Sequence, residues 1–153
     1  APRRIPPSTP RTPTRRAGAP TFRWPVLGPI SAGYLNEGYR AFFGVPHRGI
    51  DIVVGQGTAV TSSADGVVFL ARNGGATGYS YVLIGHEDGY ATLYGHLSVI
   101  AVAAGQEVRG GDVIGFSGGE PGTEGAGPMT TGAHLHFELM KDGGHLNPLS
   151  ILS

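Results

Sequence analysis

The sequence has no cysteine. A disulfide framework, a thiolate nucleophile and a thiolate metal site are therefore all excluded, so any metal must be held by histidine and carboxylate. This also agrees with an exported domain. Lysine is nearly absent too: Lys141 is the single one, against 27 glycines in 153 residues. Helix-favouring side chains are scarce, and the glycines cut the chain into short β-rich runs, which argues against a helical protein. No apolar run approaches the roughly 18 residues that a membrane-spanning helix needs, and no signal-peptide pattern is present. Because the chain opens at Ala1, it reads as a mature or excised piece whose export signal, if any, is expected upstream.

Net charge is zero but unevenly placed. Arg3, Arg4, Arg11, Arg15 and Arg16 face no acid within the first sixteen residues, whereas the remainder sets six basic residues against all eleven acidic ones, a balance of −5. With prolines at 2, 6, 7, 10, 13 and 20, residues 1–20 are expected to be a disordered linker. A basic segment of this kind can also touch anionic polymers. Residues 21–153 form one domain by length, opening at Phe22-Arg23-Trp24-Pro25-Val26.

Within the domain the pattern is strand, turn, strand. Ile50–Val54, Thr58–Thr61, Gly66–Ala71 and Val108–Phe116 read as strands or strand pairs. Tyr79–Gly85 and Tyr90–Tyr94 form the clearest hairpin, around Asp88-Gly89. No segment carries a convincing helical period, so the fold class is mostly antiparallel β. Residues 118–132 interrupt the rhythm with a Gly/Pro-rich loop, expected to be a mobile wall or lid.

The chemistry concentrates on His134-Leu135-His136-Phe137-Glu138-Leu139. Strand alternation puts Leu135, Phe137 and Leu139 on a buried face and His134, His136 and Glu138 on the other. Upstream, His47 lies four residues before Asp51, at a turn entering an apolar strand. A buried Asp51 needs a cation or strong donors to stay charged. His96 ends a strand beside Gly95. These five side chains exceed what one ion needs. A catalytic zinc takes three protein ligands and keeps a fourth position open, so the remaining histidines would be free to move protons. His86, beside the Asp-Gly turn, is expected to be exposed, and His145 to be an ordinary turn residue.

His-x-x-x-Asp, then Tyr-x-His-Leu, then Gly-x-His-Leu-His-Phe-Glu resembles the signature of the lysostaphin/LytM-type zinc endopeptidases, which cut peptide cross-links of bacterial peptidoglycan. The resemblance runs from about Phe22 to Leu152 and takes in Gly57-Thr58-Ala59-Val60, Ala64–Val68 and Asn147-Pro148-Leu149. It implies a twisted antiparallel β-sheet domain with a loop-walled groove over the zinc site, 118–132 being one wall. It further implies one Zn2+ per chain on His47, Asp51 and His136, with His96 and His134 as catalytic non-ligands. Glu138 is expected behind His136, or else as an ordinary exposed acid. The implied partner is the peptide stems or cross-bridges of peptidoglycan, with no nucleic acid, for a monomer working outside the cytoplasm. Some relatives lack ligands and only activate other wall hydrolases, whereas here every metal and catalytic position is filled. A mononuclear iron oxygenase also uses two histidines and a carboxylate, but with one residue rather than three between the first His and the acid. A lipoyl-like carrier, suggested by residues 105–115, needs its acceptor lysine at a hairpin tip. Lys141 instead adjoins the turn after the histidine strand.

Overall fold

The computed structural model describes residues 20–153, so the basic Pro-rich segment, apart from Pro20, lies outside the described residues. The strands are β1 (Ile30–Ala32), β2 (Ile50–Ile52), β3 (Ala59–Thr61), β4 (Gly66–Arg72), β5 (Tyr81–Gly85) and β6 (Tyr90–Gly95), followed by β7 (Leu97–Ile100), β8 (Glu107–Val108), β9 (Val113–Ser117), β10 (Leu135–Lys141) and β11 (Gly144–Leu146). The larger sheet runs β1-β2-β10-β6-β5-β4-β8, with β11 also on β10, and a smaller one runs β3-β9-β7. Every strand pair is antiparallel.

Alternation explains the position of β10. Leu135, Phe137 and Leu139 are buried together with Ile50 and Ile52 of β2, Val82 and Ile84 of β5, and Tyr94 of β6. Val60, Leu97 and Ile114 of the smaller sheet join the same core, so the two sheets share one apolar interior. Phe137 stands opposite Tyr94 in register, with ring centroids 5.3 Å apart. The Tyr94 hydroxyl, which would be costly to bury alone, meets the Thr92 hydroxyl at 2.6 Å and accepts from the Ser63 amide at 3.0 Å. Phe137→Ala is expected to cost about 3–5 kcal/mol, read as an earlier midpoint in urea unfolding.

Register then builds the site. β10 lies between β2 and β6, and His136 stands level with Asp51 on one side and Gly95 on the other. Immediately after Gly95 the chain leaves the larger sheet for the smaller one through His96, whose φ of +62° is left-handed. A non-glycine residue adopts that conformation at a cost and keeps it only where its surroundings hold it.

The absence of helix in the sequence reading is corrected at one place. Residues Glu37–Phe43 form a helix, α1, capped by Asn36, whose Oδ1 accepts from the Tyr39 amide, and closed by Gly44 at φ +80°. The caps are ordinary helix signals, but seven residues with an internal glycine carry too few turns for a period to register. His86 is also corrected. It is half-buried, its Nδ1 2.7 Å from the Asp65 carbonyl and its Nε2 2.7 Å from the Thr92 hydroxyl, and its ring meets Phe22 edge-on. Burial outweighs the Asp65 carbonyl contact and pushes its pKa below the usual value.

Candidate metal centre

Three elements deliver the metal-binding atoms. His47 stands in the turn before β2, Asp51 in its middle, and His136 near the start of β10. Gly49 lets the chain turn so closely, since a Cβ there would overlap the Phe137 carbonyl and press on the Glu138 side chain. His47, Asp51 and His136 are all buried. Asp51 Oδ1 lies 3.1 Å from His47 Nε2 and 2.8 Å from His136 Nδ1, and the two nitrogens are 3.3 Å apart.

Hydrogen bonds on the far sides of the rings set what these atoms offer. His47 Nδ1 is 2.7 Å from the Gly33 carbonyl, which can only accept, so Nδ1 carries the proton and Nε2 has a lone pair. His136 Nε2 is 2.8 Å from Glu138 Oε2, which assigns a proton to Nε2 in the same way and makes Nδ1 the nitrogen open to a metal. Without a metal, a proton on His136 Nδ1 is shared with Asp51 Oδ1; once it leaves, two imidazole lone pairs and a carboxylate oxygen face one another. Ligands about 2.0–2.1 Å from a tetrahedral ion stand roughly 3.3 Å from each other, close to the three observed separations. The donor set fits a divalent metal.

Burial alone would raise the Asp51 pKa, but His136 and His47 outweigh it and hold the carboxyl well below the usual range. Burial alone would lower the His136 pKa, yet its hydrogen bonds and charge interactions with Asp51 and Glu138 raise it to about 9 in the metal-free protein. The ring therefore takes either a proton or a metal.

His96 and His134 flank this cluster with ring centroids 4.6 Å apart. His96 Nδ1 donates to the Ala126 carbonyl and His134 Nδ1 to the Gly132 carbonyl, both at 2.7 Å, which leaves each Nε2 free. His134 Nε2 lies 3.6 Å from Asp51 Oδ1. Burial first, then the neighbouring His134, push the His96 pKa down to about 4. Both anchoring carbonyls come from 118–132. That loop is more than a wall: it sets the tautomers of two histidines and is itself bridged to Tyr79 and His134.

Several contributors were not legible in the sequence. Tyr39 of α1 stacks on His47 at 4.1 Å between centroids and 27° between planes. Tyr79 meets His96 edge-on at 4.9 Å, and its hydroxyl fills the space a Gly95 side chain would need. His145 bonds Glu138 at 2.8 Å. Tyr39 and Tyr79 carry no motif of their own, and His145 stood only beside a turn signal.

A mostly antiparallel β domain with a His-Asp-His centre and two attendant histidines has the make-up of a metallopeptidase. The chain belongs to peptidase family M23, which residues 45–148 match. It is 45% identical over 106 residues to the DD-carboxypeptidase/endopeptidase Mpg of Neisseria meningitidis, covering 69% of this chain and 22% of that protein. It is 42% identical over 104 residues to the peptidoglycan DD-endopeptidase ShyA of Vibrio cholerae, covering 68% of this chain and 22% of the other. Among solved structures, a zinc-containing peptidase from Vibrio cholerae superposes with a TM-score of 0.71 at 33% identity, over 84% of this chain and 39% of that one. The match thus spans about a fifth of the length of these curated relatives.

Proposed function

We propose that the domain is a zinc-dependent endopeptidase that hydrolyses peptide cross-links of bacterial peptidoglycan outside the cytoplasm. One zinc ion is held by His47 Nε2, Asp51 Oδ1 and His136 Nδ1. The observation that carries this reading is the convergence of one carboxylate oxygen and two imidazole nitrogens, all buried, with the far nitrogen of each ring already hydrogen-bonded elsewhere. When bound, the ion supplies Lewis-acid polarisation of the scissile carbonyl and lowers the pKa of water toward 7. The residues of the chain handle the protons. His96 is neutral at physiological pH, so its free Nε2 accepts a proton from the attacking water. His96 and the neighbouring His134, whose rings lie 4.6 Å apart, then relay that same proton to the leaving amine as the C–N bond breaks. Residues 1–20 serve as a linker to this catalytic domain.

The ShyA relative makes D-amino-acid cross-links the first bond to test. Zinc-loaded protein incubated with purified sacculi of directly cross-linked and glycine-bridged chemotypes should release peptides that have gained one water and a new amine, with the glycan strands intact by mass spectrometry. No release from either chemotype would refute the reading.

The pH dependence has a definite sign. With the His136 pKa near 9, each zinc bound below that pH displaces one proton, so apparent affinity should rise about tenfold per pH unit from about 6.5 to 9 and then level. His96 stays unprotonated to about pH 4, so metal loss, rather than His96, sets the acid limb of activity below about pH 6. A pH–rate profile at two zinc concentrations checks this: added zinc should shift the limb to lower pH. A limb indifferent to zinc would contradict it.

A further inference from the structure

Behind the candidate centre a second pair of residues stands in line with His136. Glu138 Oε2 lies 2.8 Å from His136 Nε2, and its other oxygen, Oε1, lies 2.8 Å from His145 Nε2. An ionised carboxylate only accepts, so both imidazoles donate to it and both of its oxygens are engaged. The local fold places these groups deliberately. Asp142 and Gly143, at φ +51° and +88°, close a two-residue hairpin between β10 and β11. That turn pairs Met140 with His145, which makes His145 the diagonal cross-strand neighbour of Glu138 on the same face of the sheet. The His145 carbonyl accepts from the Tyr34 hydroxyl at 3.2 Å, which ties β11 to the segment that also supplies Gly33, the partner of His47. On the opposite side, Gly49 has no Cβ to press on the Glu138 side chain.

We propose that Glu138 and His145 act as a positioning pair that locks His136 as the Nε2–H tautomer, so that Nδ1 is the atom presented to the metal. A neutral imidazole has two tautomers and can bind a metal through either nitrogen. Register brings the His136 ring to the right rung, but register alone does not select the nitrogen. Glu138 makes that selection, and His145, by occupying the second oxygen, keeps the carboxylate from turning away. The inference rests on the reading of His136 as a ligand.

The test measures zinc affinity by competition with a chromophoric chelator, on the whole chain and on Glu138→Ala, Glu138→Gln, His145→Ala and His145→Gln. Glu138→Ala should bind zinc about 10- to 100-fold more weakly. His145→Ala should lose about three- to tenfold, the size of one hydrogen bond. Glu138→Gln should lose less than Glu138→Ala, because its amide oxygen still accepts from His136. His145→Gln, whose amide can donate to Glu138, should recover most of the loss in His145→Ala, a rescue that mere packing would not give. Nitrogen-15 NMR of the zinc-loaded parent protein provides a check that needs no variant: His136 should show a protonated Nε2 and a metal-shifted Nδ1. Affinities of both alanine variants within twofold of the parent, or a His136 bound through Nε2, would overturn the inference. A His145→Ala value within twofold would remove His145 from the pair. A parent protein that binds no zinc through these residues would instead refute the proposed function itself.

Discussion

Asp51→Ala should yield a folded protein that no longer retains zinc and no longer solubilises sacculi. Asp51 Oδ1 is the atom common to the two shortest separations in the cluster, 2.8 and 3.1 Å, and the one full negative charge among the three metal-facing groups. Removing it leaves two neutral imidazoles with nitrogens 3.3 Å apart and no negative charge to balance a divalent cation, a much weaker site. The loss of affinity should exceed the roughly 10- to 100-fold typical of changes behind a ligand. The fold should survive, because Ile50 and Ile52, on the opposite face of β2, hold that strand in the core. Metal analysis after gel filtration, with circular dichroism beside it, checks both halves. A variant that keeps one zinc per chain would remove Asp51 from the ligand set.

His134→Ala should do the opposite on the first count and the same on the second: zinc retained, hydrolysis of sacculi lower by about 10²- to 10⁴-fold. His134 borders the cluster without completing it. Its Nε2 is 3.6 Å from Asp51 Oδ1, and its Nδ1 is committed to the Gly132 carbonyl. His96→Ala should behave alike, since His96 too is anchored through Nδ1 with Nε2 free. This pattern distinguishes an enzyme from a domain that binds metal and wall without cutting. In the latter case the parent protein would hold zinc yet release nothing, and neither substitution would change a rate. Unchanged lysis by His134→Ala would refute its catalytic assignment, and loss of zinc would make it a ligand instead.

Much of this was legible in the sequence, for definite physical reasons. The alternation of His134–Leu139 predicts a strand with an apolar back, and Leu135, Phe137 and Leu139 are buried as that pattern requires. The 79–94 hairpin announced itself through Asp88-Gly89, and the positive φ of both residues is what that signal encodes. A carboxylate between two isoleucines implies a charged partner, and Asp51 has imidazoles on both sides. What stayed hidden depended on contacts between segments distant in sequence. The pairing of His145 with Glu138 follows from where the β11 hairpin folds back, and Tyr39 reaches His47 only because α1 lies over the turn before β2. The loop carbonyls that fix His96 and His134 belong to Ala126 and Gly132, which carry no side-chain signal at all. The burial of His134 and His136 was likewise not legible, since no local pattern encodes what covers that polar face.

The central claim is that one ion sits on three named atoms while two histidines stand beside it unligated. A zinc-edge anomalous difference map from crystals of the zinc-loaded protein tests that claim most directly. The account predicts a single strong peak about 2.0–2.2 Å from His47 Nε2, Asp51 Oδ1 and His136 Nδ1, with His96 and His134 outside bonding distance. A peak coordinated by His96 or His134, or one bound to His136 through Nε2, would contradict it.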